Sequence, residues 1–325
     1  MKSTKVFRGL QMYAALILSI ILFFLLIAPV GASSTVQADC GKNEAYCKGT
    51  KKYISGAVYT GEFKFGKEDG FGELKWKDGS TYVGSFKDGL RHGKGIMNLS
   101  DNSKYEGQWE KGLMHGNGIY NFACGHVYTG QWVNNEMSGS GKIVYATGDV
   151  YEGGMMHGRS EGKGKVTRKD GSIFAGVHRM GERLGEGMII WENGLQLSGN
   201  WDYNFLSKEA QFTFQSGLTV ITNWASGKIK KNITIVLPNG SQKSGQLYEL
   251  SNMLQSTSKK GFKLAAAAVY YGIAQEYVTQ EKEKVALEWL TIAKQTLGDE
   301  SPEFMAQIED EIGFIGAIQK TDICW

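Results

Sequence analysis

A 23-residue period runs from residue 59 to residue 247. Its copies begin at Tyr59, Tyr82, Tyr105, Tyr128, Tyr151, Phe174, Leu197, Val220 and Lys243. The first six are near-complete, the next two keep the period while losing glycines, and the ninth stops early. A fixed period held this long restricts the chain to architectures in which each unit packs mainly on its neighbours. The length of 325 residues fits that restriction, because stacked units grow without a single core.

The third copy reads YEGQWEKGLMHGNGIYNFACGHV. Tyr105, Gly107 and Trp109 alternate with polar residues, so all three project from one face of a strand. Gly112, Gly116 and Gly118 follow, then Tyr120 and Phe122 with period two, and Gly125 closes the unit. This is strand, turn, strand, turn: a hairpin that runs into the next hairpin.

The columns hold from copy to copy. Gly61, Gly84, Gly107, Gly130, Gly153, Gly176 and Gly199 share one position, and Phe63, Phe86, Trp109, Trp132, Met155, His178, Trp201 and Trp224 share the next inward one. In the second strand a glycine pair recurs, from Gly70/Gly72 to Gly185/Gly187, followed by an apolar column that includes Leu74, Met97, Tyr120 and Ile143. Glycine has two uses here. In turns it supplies positive φ, and Asn102, Asn135 and Asn204 replace it there as the next most tolerant residue. Inside strands it leaves room for an aromatic ring to lie against bare backbone.

This pattern, Y-x-G-x-W-x-x-G-x-x-x-G-x-G-x-x-x-x-x-x-G, resembles the MORN repeat. The resemblance implies a mainly β fold over residues 59–250: an elongated, twisted, single-layer antiparallel sheet of stacked hairpins. It also implies a non-catalytic scaffold or adaptor whose partners are proteins or a membrane surface. Copies seven and eight depart from the pattern, with Lys208/Ala210 and Lys231/Ile233 in place of the paired glycines. Their apolar stripe persists, which predicts strands with altered turns.

The ladder of Tyr59, Tyr82, Tyr105, Tyr128 and Tyr151, with Trp109 and Trp132 beside it, has two readings. Packed against neighbouring repeats it is core. Partly open, it lines a groove suited to an extended peptide, a glycan or a lipid headgroup, and the protein is a ligand-binding module.

Outside the repeats the chain changes character. Lys2, Lys5 and Arg8 precede an uncharged run over residues 10–30, and Val36-Gln37-Ala38 resembles a signal-peptidase site. Residues 1–38 therefore read as a cleaved signal peptide or a retained signal anchor, with the repeats facing away from the cytoplasm in both cases. The first makes the protein secreted or periplasmic, the second membrane-anchored. The leader holds three of the 36 basic residues and no acidic ones, so the remainder balances 33 against 33. A neutral exported part argues against electrostatically driven nucleic-acid binding.

Four cysteines remain: Cys40, Cys47, Cys124 and Cys324. An even count in an exported chain points to disulfides, and Cys40 and Cys47 enclose a short loop that makes residues 39–58 an oxidised collar. A metal site is the alternative, but no second pair stands at ligand spacing. Asn98, Asn232 and Asn239 open glycosylation sequons.

Beyond residue 255 the period becomes helical. Phe262, Ala265, Ala266, Val269, Tyr270, Ile273, Ala274 and Tyr277 fall on one face. Val285, Ala286, Trp289, Leu290 and Ala293 mark a second helix, and Ser301-Pro302 opens a third. Tyr270, Ile273, Ala274, Tyr277, Ala286, Leu290 and Ala293 resemble a single tetratricopeptide hairpin, although Gly298 replaces that family's usual proline. Residues 255–320 thus read as an α-helical cap over an open sheet edge, or as a peptide groove.

No set of residues supports catalysis. His92 and His115 share a column in adjacent repeats, ~10 Å apart at two strand spacings, too far to share a zinc ion. The run from Gly158 to Gly164 has the wrong spacing for a phosphate loop, and no nucleophile elbow or zincin motif occurs. The sequence implies no enzyme, no metal and no cofactor.

Overall fold

The computed structural model describes residues 35–37 and 45–246 apart from 193, 216, 226 and 227, together with residues 270, 274, 290, 291, 293 and 294. The chain divides into two units, Met1–Ala146 with Asp322–Trp325, and Thr147–Thr321. In both, the described residues are overwhelmingly antiparallel strand, joined hairpin to hairpin in chain order.

In the first unit a short β1 (Thr35–Gln37) pairs with β2 (Cys47–Lys52), which pairs with β3 (Val58–Lys64). The run continues through β4 (Lys67–Lys75), β5 (Thr81–Lys87), β6 (Leu90–Asn98), β7 (Lys104–Glu110), β8 (Leu113–Asn121), β9 (Val127–Val133) and β10 (Glu136–Val144), each paired with the next. The second unit repeats the scheme with β11 (Val150–Met156), β12 (Arg159–Thr167), β13 (Ile173–Arg179), β14 (Glu182–Ile190), β15 (Gln196–Asp202), β16 (Phe205–Thr213), β17 (Thr219–Ala225), β18 (Lys228–Val236) and β19 (Gln242–Gln246). The mainly β, single-layer hairpin fold expected from the period is the fold observed.

The paired glycines of the second strand have different jobs. In the third copy the first of them, Gly116, sits at φ 62° where the register between β7 and β8 shifts. It is a bulge residue, and the side chain of Gln108 accepts a hydrogen bond from the next amide, Asn117 N, at 2.7 Å. The second, Gly118, is extended and lies under the Tyr105 ring, so only this one leaves room for packing. In copy seven Lys208 occupies the bulge position and still adopts φ 61°. The backbone there imposes the left-handed conformation whatever the side chain.

The period also reaches further toward the N-terminus than the recognisable copies. Gly49 and Gly56 stand 23 residues before Gly72 and Gly79, and Gly49 pairs with Gly61 as Gly72 does. So the collar expected over residues 39–58 contributes β2, the second strand of an eroded copy. Its ladder-face residue Lys51 takes the column that Leu74 fills, and pairs at 2.8 Å with buried Glu68. Glu68 also accepts a hydrogen bond from the Tyr53 hydroxyl. Burial, then this bond, raises the Tyr53 pKa.

Cys40 and the apolar run of residues 10–30 lie outside the described residues, as does most of the helical end. Among the described residues no helix is long and apolar enough to cross a membrane. Tyr270, Ala274, Leu290 and Ala293 are helical and buried. The tetratricopeptide-like hairpin as such is not established by them.

Candidate functional site

The five tyrosines of the ladder are buried, at most 2% exposed. The first three rings each meet two rings edge-on, one in the same repeat and one in the next, whereas Tyr128 meets Trp132 in its own repeat and Tyr151 meets His178 in the next. Tyr59 touches Phe63 and Phe86, Tyr82 touches Phe86 and Trp109, and Tyr105 touches Trp109 and Trp132, with centroids 4.9–5.4 Å apart and planes crossed by 79–90°. Edge-to-face geometry sets the positive rim of one ring against the negative face of another. Each hydroxyl donates back to the main chain three residues on, at 2.7–2.9 Å, from Tyr59 to Glu62 O through to Tyr151 to Gly154 O. Burial pushes up the phenols of Tyr59, Tyr82, Tyr105 and Tyr128, the last to about 12. Trp109 and Trp132 are buried with them. Of the two readings of the ladder the structure has the core. The rings spend their faces and hydroxyls on the sheet, and a peptide, glycan or headgroup finds no open groove on them.

Ring size and backbone trade off along this core. A Cβ on Gly118 would stand 2.4 Å from Tyr105, and one on Gly187 would stand 2.8 Å from Phe174. In copy seven the ring becomes Leu197 and the floor becomes Gly199 with Ala210; in copy eight it becomes Val220 over Thr222 and Ile233. The departures noted in the sequence thus change ring and floor together. Filled side chains replace a ring on bare backbone.

Charges also enter the core. Arg91 lies over the Trp109 ring, 4.3 Å from its centroid, and donates to Gly112 O at 2.8 Å. Burial lowers its pKa to about 10. Arg183, in the same column, lies over Phe174 and Trp201. Beside it His178 is buried between Tyr151 and Phe174, 5.3 Å from each centroid, and its Nδ1 has no hydrogen-bond partner. Burial, then the Arg183 charge, lowers its pKa to about 4.

This shift has a consequence for acid stability. The unfolded chain protonates His178 near pH 6.5 and the folded chain only near pH 4, so between those values the unfolded state binds more protons. Stability attributable to this residue falls as pH drops through that window, by about 2–3 kcal/mol at its lower end. Urea unfolding at pH 7 and pH 4.5 should show a larger acid loss in the native protein than in His178→Phe. Parallel losses in the two proteins would remove the buried imidazole from the account.

No group of three or more His, Cys, Asp or Glu among the described residues is placed to hold a metal ion.

What the fold displays is its turns. In the seven hairpins from β3/β4 to β15/β16 the first central turn residue has φ between 49° and 52°. Asp88 and Asn134 suit that conformation. Phe65, Met180 and Tyr203 do not, and their side chains stand 63%, 60% and 56% exposed. A bulky residue in the left-handed region costs roughly 1–2 kcal/mol, and an exposed apolar side chain returns none of it to the fold. These strained, exposed turn residues form the candidate site. Exposed Leu90 and Val133 flank two further turns. Within each unit successive turns of this kind follow at ~10 Å, two strand spacings. The sequence carried the signal, a bulky residue in a column that Asp and Asn also occupy, but only the backbone angle shows its cost.

Five consecutive segments, residues 59–81, 82–104, 105–126, 128–150 and 151–173, match the family model described as MORN repeat. These five segments are thus similar to consecutive MORN repeats. No curated protein matches it. Among solved structures, the TCP10 domain of Danio rerio CPAP, in complex with a peptide of Danio rerio STIL, is 12% identical, with 61% of this chain and 83% of that chain covered and a TM-score of 0.38. The TCP domain of Drosophila melanogaster SAS-4, in complex with a proline-rich motif of Ana2, is 13% identical, with 55% and 85% covered and a TM-score of 0.28. Likeness at these scores has no bearing on function.

Proposed function

We propose that the protein is a non-catalytic scaffold or adaptor that engages a protein partner through the turn tips of its hairpins. The observation that carries this reading is the exposure of Phe65, Met180 and Tyr203 in a strained left-handed conformation. The repeats support it, since they supply a regular row of presentation points and keep their aromatic residues for the core. The leader pattern supports placement of the sheet outside the cytoplasm, secreted or periplasmic if cleaved after Ala38 and membrane-anchored otherwise. Intact mass of the native protein distinguishes a chain beginning at Asp39 from one retaining Met1.

The turn reading separates stability from binding. Replacing Phe65, Met180 and Tyr203 together by Asn relieves backbone strain, by up to about 1 kcal/mol at each site, so the melting temperature should hold or rise. The same variant should lose a protein that the native chain retains from the envelope fraction. Glu106→Ala, on the exposed face of β7, should keep it. A melting temperature lowered by the triple change, or a retained set identical in all three proteins, would return the tips to the fold.

A further inference from the structure

Cys47 opens β2, and Cys124 lies in the turn between β8 and β9. Both are disulfide-bonded, and no cysteine among the described residues is free. The chain has four cysteines, so their partners come from a short set.

Cys47 and Cys124 do not join each other. β2 and β8 are six strand steps apart in the ladder of pairings, ~29 Å at ~4.8 Å per step. A disulfide holds its two Cα atoms within ~7 Å. Nor does Cys40 reach Cys124. Pairing carries the level of Lys52 across to Asn121 and Val127, the two ends of the turn that holds Cys124. Cys47 lies five residues below that level, a further ~16 Å across the sheet, which makes the separation ~33 Å. The seven residues back to Cys40 span at most ~25 Å when fully extended. The gap left exceeds what a disulfide bridges.

We infer that Cys124 is bonded to Cys324, which leaves Cys40 for Cys47. The bond is a covalent strap. It returns the C-terminus to a turn in the middle of the first unit's hairpins. Forming the bond joins Sγ to Sγ by exchange with a disulfide oxidant, which takes up the two protons and two electrons and leaves as two thiols. That chemistry suits an oxidising compartment.

Peptide mapping without reductant tests the strap on the full chain made in an oxidising host, with free thiols alkylated before digestion. Trypsin places Cys124 in residues 112–142 and Cys324 in residues 321–325. The expected product is those two peptides linked, separating on reduction. In the undigested protein, a single proteolytic cut between residues 247 and 323 should leave the C-terminal fragment attached until reductant is added. Cys324→Ser should expose one new alkylatable thiol, at Cys124, with the peptide of Cys47 still linked. Linkage of residues 112–142 to the Cys40 peptide, or a new thiol at Cys47 in the variant, would overturn the assignment.

Discussion

Gly118→Val should destabilise the first unit by at least about 3 kcal/mol. A Cβ at Gly118 would lie 2.4 Å from the Tyr105 ring. That ring has nowhere to go: Trp109 and Trp132 hold its edges, and its hydroxyl is bonded to Gln108 O at 2.9 Å. On the opposite strand a Cβ at Gly107 would meet Gly118 Cα at 2.6 Å, so the backbone cannot open on that side either. Valine also adds two methyl groups beyond Cβ. The melting temperature should fall by about 10 °C at this chain size, or the folded protein should not be recovered. Glu106→Val places the same side chain on the exposed face of the neighbouring strand and should stay within about 0.5 kcal/mol of the native protein. Equal melting temperatures for the two variants would show that the glycine floor does no packing.

Tyr105→Ala should produce a loss of similar size, about 3–5 kcal/mol, by the opposite route. It empties the space that Gly107 and Gly118 keep clear, removes the edges on which Trp109 and Trp132 rest, and deletes the donor to Gln108 O. Tyr105→Phe keeps the ring and loses only the hydroxyl, a change of about 1 kcal/mol. The chain already contains that experiment, since Phe174 fills the same socket over Gly176 and Gly187. Denaturant midpoints for the pair should therefore differ widely. Similar midpoints would assign the stabilisation to the hydrogen bond instead of the ring.

Much of this architecture is written in the period. The strand glycines, the aromatic column and the Asn substitutions at Asn102, Asn135 and Asn204 each state a local requirement that the fold obeys, the last with φ of 69–72°. Other features were hidden for definite reasons. Gly116 reads as a strand residue because a bulge changes register without changing composition. β2 went unread because the inward position that carries an apolar residue in the copies holds Lys51, and an ion pair with Glu68 leaves no trace in hydrophobic alternation. The candidate surface was hidden for the reverse reason. Phe65, Met180 and Tyr203 share a column with Asp88 and Asn134, but only the backbone angle of 49–52° shows what a bulky residue costs there. The fate of the ladder turned on burial, which depends on neighbouring repeats lying close enough to seal each ring.

The reach of each ladder ring into the following repeat bears on how such an array changes length. One copy brings a ring, the glycine floor beneath it and an aromatic edge for its predecessor, all in 23 residues. Duplicating or deleting a whole copy among the first five therefore keeps a ring, a glycine floor and a large receiving side chain at the new junction, because each copy offers an aromatic residue or Met155 at the same receiving position. A shift of any other length sets rings over side chains instead of bare backbone. Growth by that quantum comes to a stop at copies seven and eight, where ring and floor have changed together. Copy seven still offers Trp201 to the Phe174 ring before it, so the change of ring and floor begins without breaking the row.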